Sequence, residues 1–351
     1  MKESILYKLS QNKISLLGAV FIAVMSLLAV FAYLLIDDPS PGANEQNAEI
    51  ALRSPGFKTD YLYLKSNETS SSKSGLEAMF FGLNRAYKVY PVQSAELTDE
   101  GVAVLTYYDQ KNVVSYSSLH KNDIGNKTYW LGTDRYGRSI MSRLVLGVRV
   151  SLMVGLLAVL ISLSIGVALG AVAGYFGGWL DRAIMYLINV MWSIPTLLLV
   201  FAIVLAFGRG LGIIFLAVGL TMWVDVARIV RGQVMQVKAK QYVMAARSIG
   251  QTDKLILYKH ILPNIVGPIL VMGAANFATA ILIEAGLSYL GFGVKPPTPS
   301  IGNMLNEHYG YAVAGRPVLA LVPAVTIMLL VLAFNVVGSG LRDVFDVKST
   351  T

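Results

Sequence analysis

Six long apolar runs set the pattern of this chain: Ile14–Ile36, Val150–Tyr175, Ala183–Phe207, Leu211–Val226, Ile265–Tyr289 and Val318–Gly338. A helix crosses the ~30 Å hydrocarbon core with about 20 predominantly apolar residues, so each run predicts a transmembrane helix. Pro195 is expected to kink the third of them. The second carries Gly166, Gly170 and Gly174 four residues apart, which places three glycines on one helix face and lets another helix approach closely. Between the first two runs, residues 37–130 are polar and of mixed charge, with a Ser-rich patch at Thr69–Ser74. Tyr87–Val92 and Val102–Tyr108 read there as strands, and the length exceeds a simple connector, so a small β-containing domain is expected. Leu131–Arg143 is a turn-rich lead into the second span, with Thr133 or Asp134 as its cap and Gly137 at the bend. Gly291–Pro317 reads as a Gly/Pro-rich loop.

Polar positions are most telling between the fourth and fifth runs. Arg228, Arg231, Lys238, Lys240, Arg247, Lys254 and Lys259 stand there against one acid, Asp253. Such a concentration in a short loop marks the cytoplasmic side. Tyr242–Ile249 has Val243, Ala246 and Ile249 at helical spacing, with Gly250 as C-terminal cap. Thr252 or Asp253 caps a second short helix carrying Leu255, Ile256 and Tyr258, and Pro263 opens the next span. Six spans with this loop inside put both termini inside and the 37–130 insert outside. Arg135, Arg138, Arg143 and Arg149 would then lie on or near the outer side, against the charge rule, which weights long translocated loops weakly. Ile14–Ile36 is longer than a signal-peptide core and is followed by Asp37-Asp38-Pro39, so it reads as a permanent span. Lys2–Lys13, with Ile5, Leu6 and Leu9 on one face, is either an interfacial anchor or a cytoplasmic extension of that span.

Composition agrees. Of 351 residues, 55% are hydrophobic and 14% charged, and mean hydropathy is +0.58; soluble domains average about 25% charged. The net charge of +8 lies in span flanks, next to anionic lipid, with no basic and aromatic stripe for nucleic acid. The chain has no cysteine, which excludes disulfides, thiolate metal sites and a cysteine nucleophile. His120, His260 and His308 have no ligand spacing, and neither His-Glu-x-x-His nor Gly-x-Ser-x-Gly occurs. Two acids lie within spans, where an unpaired charge costs at least ~2.5–3.5 kcal/mol. Asp225 is expected to pair with Arg228 at i,i+3. Glu284, with Asn276 on the same span, is a candidate for contact with a pathway or a partner helix, or for structural hydrogen bonding.

Tyr242-Val-Met-Ala-Ala246, Gly250 and His260-Ile-Leu-Pro263 resemble the "EAA" loop of ABC importer permeases, in which Glu-Ala-Ala is followed by a spaced Gly and a Leu-Pro pair. Gly132-Thr-Asp-x-x-Gly-Arg138 with Gly147-x-Arg149-x-Ser-Leu152, Leu287-Ser-Tyr-Leu-Gly-Phe-Gly293 with Pro296–Ser300, and Gly340-Leu-Arg-Asp343 with Asp346 are similar to segments of the second permease subunit of the dipeptide/oligopeptide/nickel group. Met244 departs from the usual acid, Ser139 and Ser339 from the usual Asp, and Ile301 from a common Trp; the insert is longer than usual in the family. The resemblance implies an all-α membrane protein of the type I permease fold, with an extracytoplasmic insert containing some β. It implies three parts: residues 1–36, the insert 37–130, and a core 131–347 with a coupling loop at 228–263. The implied function is half of a translocation pathway for peptides or a related small solute, in a bacterial inner membrane. Implied partners are a second homologous permease, two ATPase subunits, an extracytoplasmic substrate-binding protein and the lipid bilayer. ATP and Mg would sit on the ATPases, and this chain has no Gly-x-x-x-x-Gly-Lys-Ser/Thr to cradle phosphates. Tyr242, Ala245, Ala246, Gly250, His260 and Pro263 are the implied ATPase-coupling residues. An ion-coupled transporter or channel is the competing class; it calls for charged or broken helices at mid-membrane and an internal repeat.

Overall fold

The computed structural model describes residues 12–65, 75–85, 87–99, 101–108, 110–119 and 124–345. The basic N-terminal segment before Asn12, the Ser-rich patch, His120 and Asp346 lie outside them. The chain divides into two units, one of residues 1–25, 151–294 and 325–351 and the other of residues 26–150 and 295–324. Among the described residues, five helices are long and apolar enough to cross a membrane, or six if one bent pair counts as a span.

The helices in chain order are α1 (Lys13–Val30), α2 (Ala32–Leu35), α3 (Gly75–Phe81), α4 (Ile140–Phe176), α5 (Gly178–Trp192), α6 (Thr196–Phe207), α7 (Leu211–Lys238), α8 (Gln241–Ser248), α9 (Asp253–Leu255), α10 (Val266–Tyr289), α11 (Ile301–Val313) and α12 (Val318–Phe345). The strands are β1 (Phe57–Lys65), β2 (Tyr87–Val92), β3 (Ser94–Leu97), β4 (Gly101–Leu105), β5 (Lys111–Ser115) and β6 (Gly125–Tyr129).

In the first unit, the glycine ladder of α4 packs on α7. A methyl at Gly166 would come within 2.5 Å of Val226 Cβ, and one at Gly174 within 2.6 Å of the Arg231 carbonyl. The predicted third span differs from expectation. It is two helices, α5 and α6, bent by 85°. Pro195 leads α6 from an extended conformation, so the chain turns through Ser193 and Ile194 instead of bending smoothly. The fourth helix is longer than its apolar run: α7 carries Arg228 and Arg231 and stops only at Lys238. Arg231 forks onto Asp181, with its Nε and Nη2 donating at 2.5 and 2.7 Å. The expected Asp225–Arg228 pair is replaced by an aromatic one. Trp192 Nε1 donates to Asp225 at 3.0 Å, and the Arg228 guanidinium lies 4.2 Å over the same ring. At i,i+3 on a helix two side chains can meet, but the indole satisfies both here. Along α12, Ser15 of α1 donates to the Val336 carbonyl at 3.3 Å.

The second unit holds the insert. Its strands form two antiparallel three-stranded sheets, ordered β2-β1-β6 and β3-β4-β5. Leu62 and Val92 meet Val102, Val104 and Leu119 in one apolar core. Tyr87–Val92 is a strand as the alternation predicts; the other predicted strand ends at Leu105, before a turn at Tyr107. Asp134 does not cap a helix. Its Oδ1 accepts from the backbone N–H of Tyr136 at 2.8 Å and of Arg138 at 2.9 Å, closing the turn at Gly137. Ser139 takes the cap position of α4 and accepts from Ser142 N–H at 3.4 Å, a role its hydroxyl shares with the Asp it replaces.

The expected loop at Gly291–Pro317 contains α11. Ser300 caps it, accepting from Asn303 N–H at 3.2 Å. Ile301, Met304 and His308 are all buried. Glu307 of this helix resolves the arginine anomaly. Arg138 donates to Asp134 at 2.6 Å and to Glu307 at 2.9 Å, and Arg143 lies 3.9 Å from each acid. Two of the four arginines are therefore neutralised in a buried network and do not count as loose positive charge.

Burial pushes the His308 imidazole below its ordinary pKa of 6.5, with Asp134 and Glu307 pulling the other way. The unfolded chain takes up that proton near pH 6.5 while the folded chain resists it, so stability is intact above about 6.5 and falls as the pH drops below it. His308→Asn should flatten the melting temperature between pH 7 and 5 relative to wild type, read by thermal unfolding in detergent.

Candidate functional site at the α7–α10 hairpin

Residues 239–265, between α7 and α10, fold against the chain's own body. In α8 only Val243 and Ala246 point inward, joining Val230, Val234, Val237, Tyr175, Ile256, Ile261 and Ile265 in one apolar cluster. The helix ends as its glycine predicts. Gly250 sits at φ +82, Gly250 N–H donates to Arg247 O at 3.0 Å, and Gln251 N–H donates to Ala246 O at 3.2 Å. These paired bonds are the Schellman arrangement, which needs a residue tolerant of positive φ. Nothing lies within 4 Å of a methyl built on Gly250, so backbone conformation alone requires the glycine.

The predicted second helix is a single turn, α9, which widens into a π-helical stretch at Ile256–Ile261. Thr252 stands at its cap without a side-chain bond. A tighter turn, Leu262–Ile265, follows with Pro263 at its start. Polar contacts tie the hairpin to the ends of α4 and α7. Tyr175 Oη donates to Asp253 at 2.6 Å, Lys238 Nζ donates to the Tyr175 carbonyl at 2.5 Å, and Arg247 donates to Asp253 at 3.4 Å. His260 Nε2 bonds Gln251 Oε1 at 2.9 Å, bridging the glycine turn and the π-helical stretch.

The predicted residues separate into two groups. Tyr242, Ala245, Gly250 and Pro263 are exposed, while His260 is half-buried. Ala246 is buried in the chain's own cluster and does not face outward. Ile249 reverses in the other sense. Its spacing from Val243 and Ala246 puts it inward, yet it is 76% exposed. The helix ends at Ser248, and the glycine turn carries Ile249 off the inner face. Met244, Leu255 and Tyr258 are exposed as well, Tyr258 at 78%. These apolar side chains stand among exposed Lys240, Arg247, Lys254 and Lys259 on a segment anchored from behind, a mixture that suits a protein interface.

The two intramembrane polar residues are not brought together. Asn276 and Glu284 are both buried on α10, eight positions or about 12 Å apart along the axis. Glu284 accepts from Ser151 Oγ at 2.7 Å and from Ser288 Oγ at 2.8 Å. Removing this shared acceptor strands two hydroxyls. Glu284→Ala should cost about 1–3 kcal/mol, and Glu284→Gln clearly less, by thermal unfolding.

A multi-span helical body carrying an anchored hairpin with exposed apolar and basic side chains defines the class: a polytopic membrane protein. Residues 166–350 match the family described as binding-protein-dependent transport system inner membrane component. The chain is 42% identical over 241 residues to the glutathione transport system permease protein GsiD of Escherichia coli O6:K15:H31, covering 69% of this chain and 78% of that one. It is 43% identical over 244 residues to GsiD of Salmonella typhimurium, covering 70% and 80%. Among solved structures, the inward-facing MetNI methionine ABC transporter aligns at 22% identity and a TM-score of 0.47, over 58% of this chain and 97% of that one. The chain belongs to the binding-protein-dependent transport family and is the multi-pass inner-membrane permease subunit of an ABC importer, as its four separated motifs implied. The ion-coupled alternative is set aside by the same match.

Proposed function

We propose that this permease imports short peptides or a closely related small solute, as its similarity to glutathione transport permeases suggests. It forms half of the pathway, paired with a second homologous permease. Solute arrives from an extracytoplasmic binding protein, and two ATPase subunits carry ATP and Mg and drive the cycle. The chain itself performs no covalent chemistry. Both termini lie in the cytoplasm, the 37–130 insert lies outside, and the 131–347 core does the transport.

The observation that carries this reading is the outer surface of the hairpin. Tyr242, Met244, Ala245, Ile249 and Tyr258 face away from a segment whose back is packed and bonded. Docked in a groove of an ATPase, it would transmit a rigid displacement to α7 and α10, because packed interfaces switch between arrangements instead of deforming. Met244 in place of an acid makes that contact apolar. Glu284 supports the pathway by tying α10 to Ser151 of α4, and Asn276, buried on the same helix, is the candidate for direct contact with the pathway or the partner permease.

The absence of cysteine makes the test clean. Tyr258→Cys, as the single thiol, should cross-link to an ATPase subunit in the assembled complex and be shielded by it. Labelling of that thiol from outside intact cells would overturn the assignment.

A further inference from the structure

The insert's first sheet has two unlike faces. Side chains alternate across a strand, and Leu62 and Leu64 of β1 turn into the core with Val92, Val102 and Leu119. Tyr61 and Tyr63 turn the other way. Their rings meet edge to face at 5.2 Å, and Tyr63 meets Tyr87 of β2 at 5.2 Å in the same manner. Across the sheet, Gly125 of β6 pairs with Tyr61. A methyl on Gly125 would fall 2.5 Å from Tyr61 Cζ, so the missing side chain is what lets the ring lie over that strand. The core does not need this aromatic row, and the neighbouring strand is shaped to accommodate it.

The row walls a cleft of about 350 Å³, which Asp37, Arg85 and Lys127 also line. That is within the range of small-molecule sites. Charges of both signs converge on it. The Arg85 guanidinium lies 5.4 Å over the Tyr87 ring and donates to the Asp37 carbonyl at 3.2 Å. The Lys127 ammonium lies 4.7 Å over the Tyr129 ring. Among the described residues it has no hydrogen bond or ion pair. Burial pushes it below the usual lysine range although Asp37, Glu45 and Asp38 pull upward. A ligand carboxylate would restore what burial removes.

We propose that this cleft binds a short zwitterionic peptide, its carboxylate toward Lys127 and Arg85 and its ammonium toward Asp37 and the tyrosine faces. The assignment of a peptide rests on the import reading above; the cleft itself lies outside the matched residues 166–350. A purely apolar ligand would leave Lys127 unpaired, and a simple anion would face the Asp37 carboxylate with nothing to offer it. A zwitterion satisfies both, and tyrosine faces receive an ammonium group by cation–π attraction.

The test uses the full-length chain in lipid nanodiscs, without ATPases, titrated calorimetrically with glycyl-phenylalanine. Saturable binding is expected, weakened about tenfold by Lys127→Gln and by Tyr63→Ala, and unchanged by Tyr63→Phe. The N-acetylated, amide-capped dipeptide should not bind. No saturable heat, or equal binding in wild type and Lys127→Gln, overturns the proposal. Lys127→Gln decides alone if Tyr63→Ala fails to fold. Because no ATPase takes part, failure here leaves the importer reading standing. Failure of ATP-driven uptake with dipeptide binding intact would sink that reading and leave a binding cleft of unassigned purpose.

Discussion

Gly170→Leu should lower the stability of the folded chain by about 3 kcal/mol. The α4–α7 contact is a backbone approach. A methyl at Gly170 would lie 2.9 Å from Val230 Cβ and closer still to the Ala227 carbonyl, and one at Gly166 would lie 2.7 Å from the Trp223 carbonyl. Leucine there must push α7 away along its length. That would open the cluster of Ala171, Val226, Val230 and Val234, which also seats the hairpin. Overpacking of this kind costs about 3 kcal/mol, a large fraction of a domain's stability. Gly232, on α7 with open space around it, is the control. Gly232→Ala should be neutral or stabilising by about 0.5–1 kcal/mol through helix propensity. Detergent thermal unfolding and size-exclusion profiles read both. A Gly170→Leu protein that melts with wild type would show that the two helices need not touch.

Ile249→Asp and Tyr258→Asp should separate folding from coupling. Both side chains are more than three-quarters exposed and support nothing in the chain. Stability should therefore stay within about 0.5 kcal/mol of wild type. Substrate-stimulated ATP hydrolysis by the assembled complex should fall at least about tenfold, since a charge buried at an interface without a partner costs 2 kcal/mol or more. Ala246→Asp should do the opposite in kind. Its site is filled by Val243, Ile256 and Ile261, so a carboxylate there should unfold the hairpin itself. Wild-type stimulated hydrolysis in both exposed-site variants would place the ATPase contact elsewhere.

These contrasts mark what local pattern can carry. Apolar runs of membrane-spanning length have few alternatives, so Ile265–Tyr289 is legible to within one residue of α10, while α4 begins at Ile140, ten residues before the run Val150–Tyr175, because its first turns lie in the polar lead where no apolar run marks them. The glycine ladder was legible because its four-residue period matches one helix face. Contacts between distant segments leave no such trace. Arg138 meets Glu307 across 169 positions and Trp192 meets Asp225 across 33. Neither follows from periodicity, which leaves the arginines as an anomaly and pairs Asp225 with its nearest cation. α11 was hidden because its inward face, Ile301, Met304 and His308, is interspersed with glycine and asparagine. In the hairpin, spacing assigned the inward face correctly for Val243 but missed where the helix stops. One residue past that stop, Ile249 points outward, and Ala246, a coupling residue by the resemblance, points in.

The account turns on a subunit that converts another chain's ATP hydrolysis into an opening. Uptake of labelled dipeptide into proteoliposomes holding this chain, its partner permease, the ATPases and the binding protein measures that directly. Accumulation should require ATP inside reach of the ATPases and vanish with Ile249→Asp while the complex stays assembled. Accumulation by the permeases without ATPases, driven by an ion gradient alone, would contradict it.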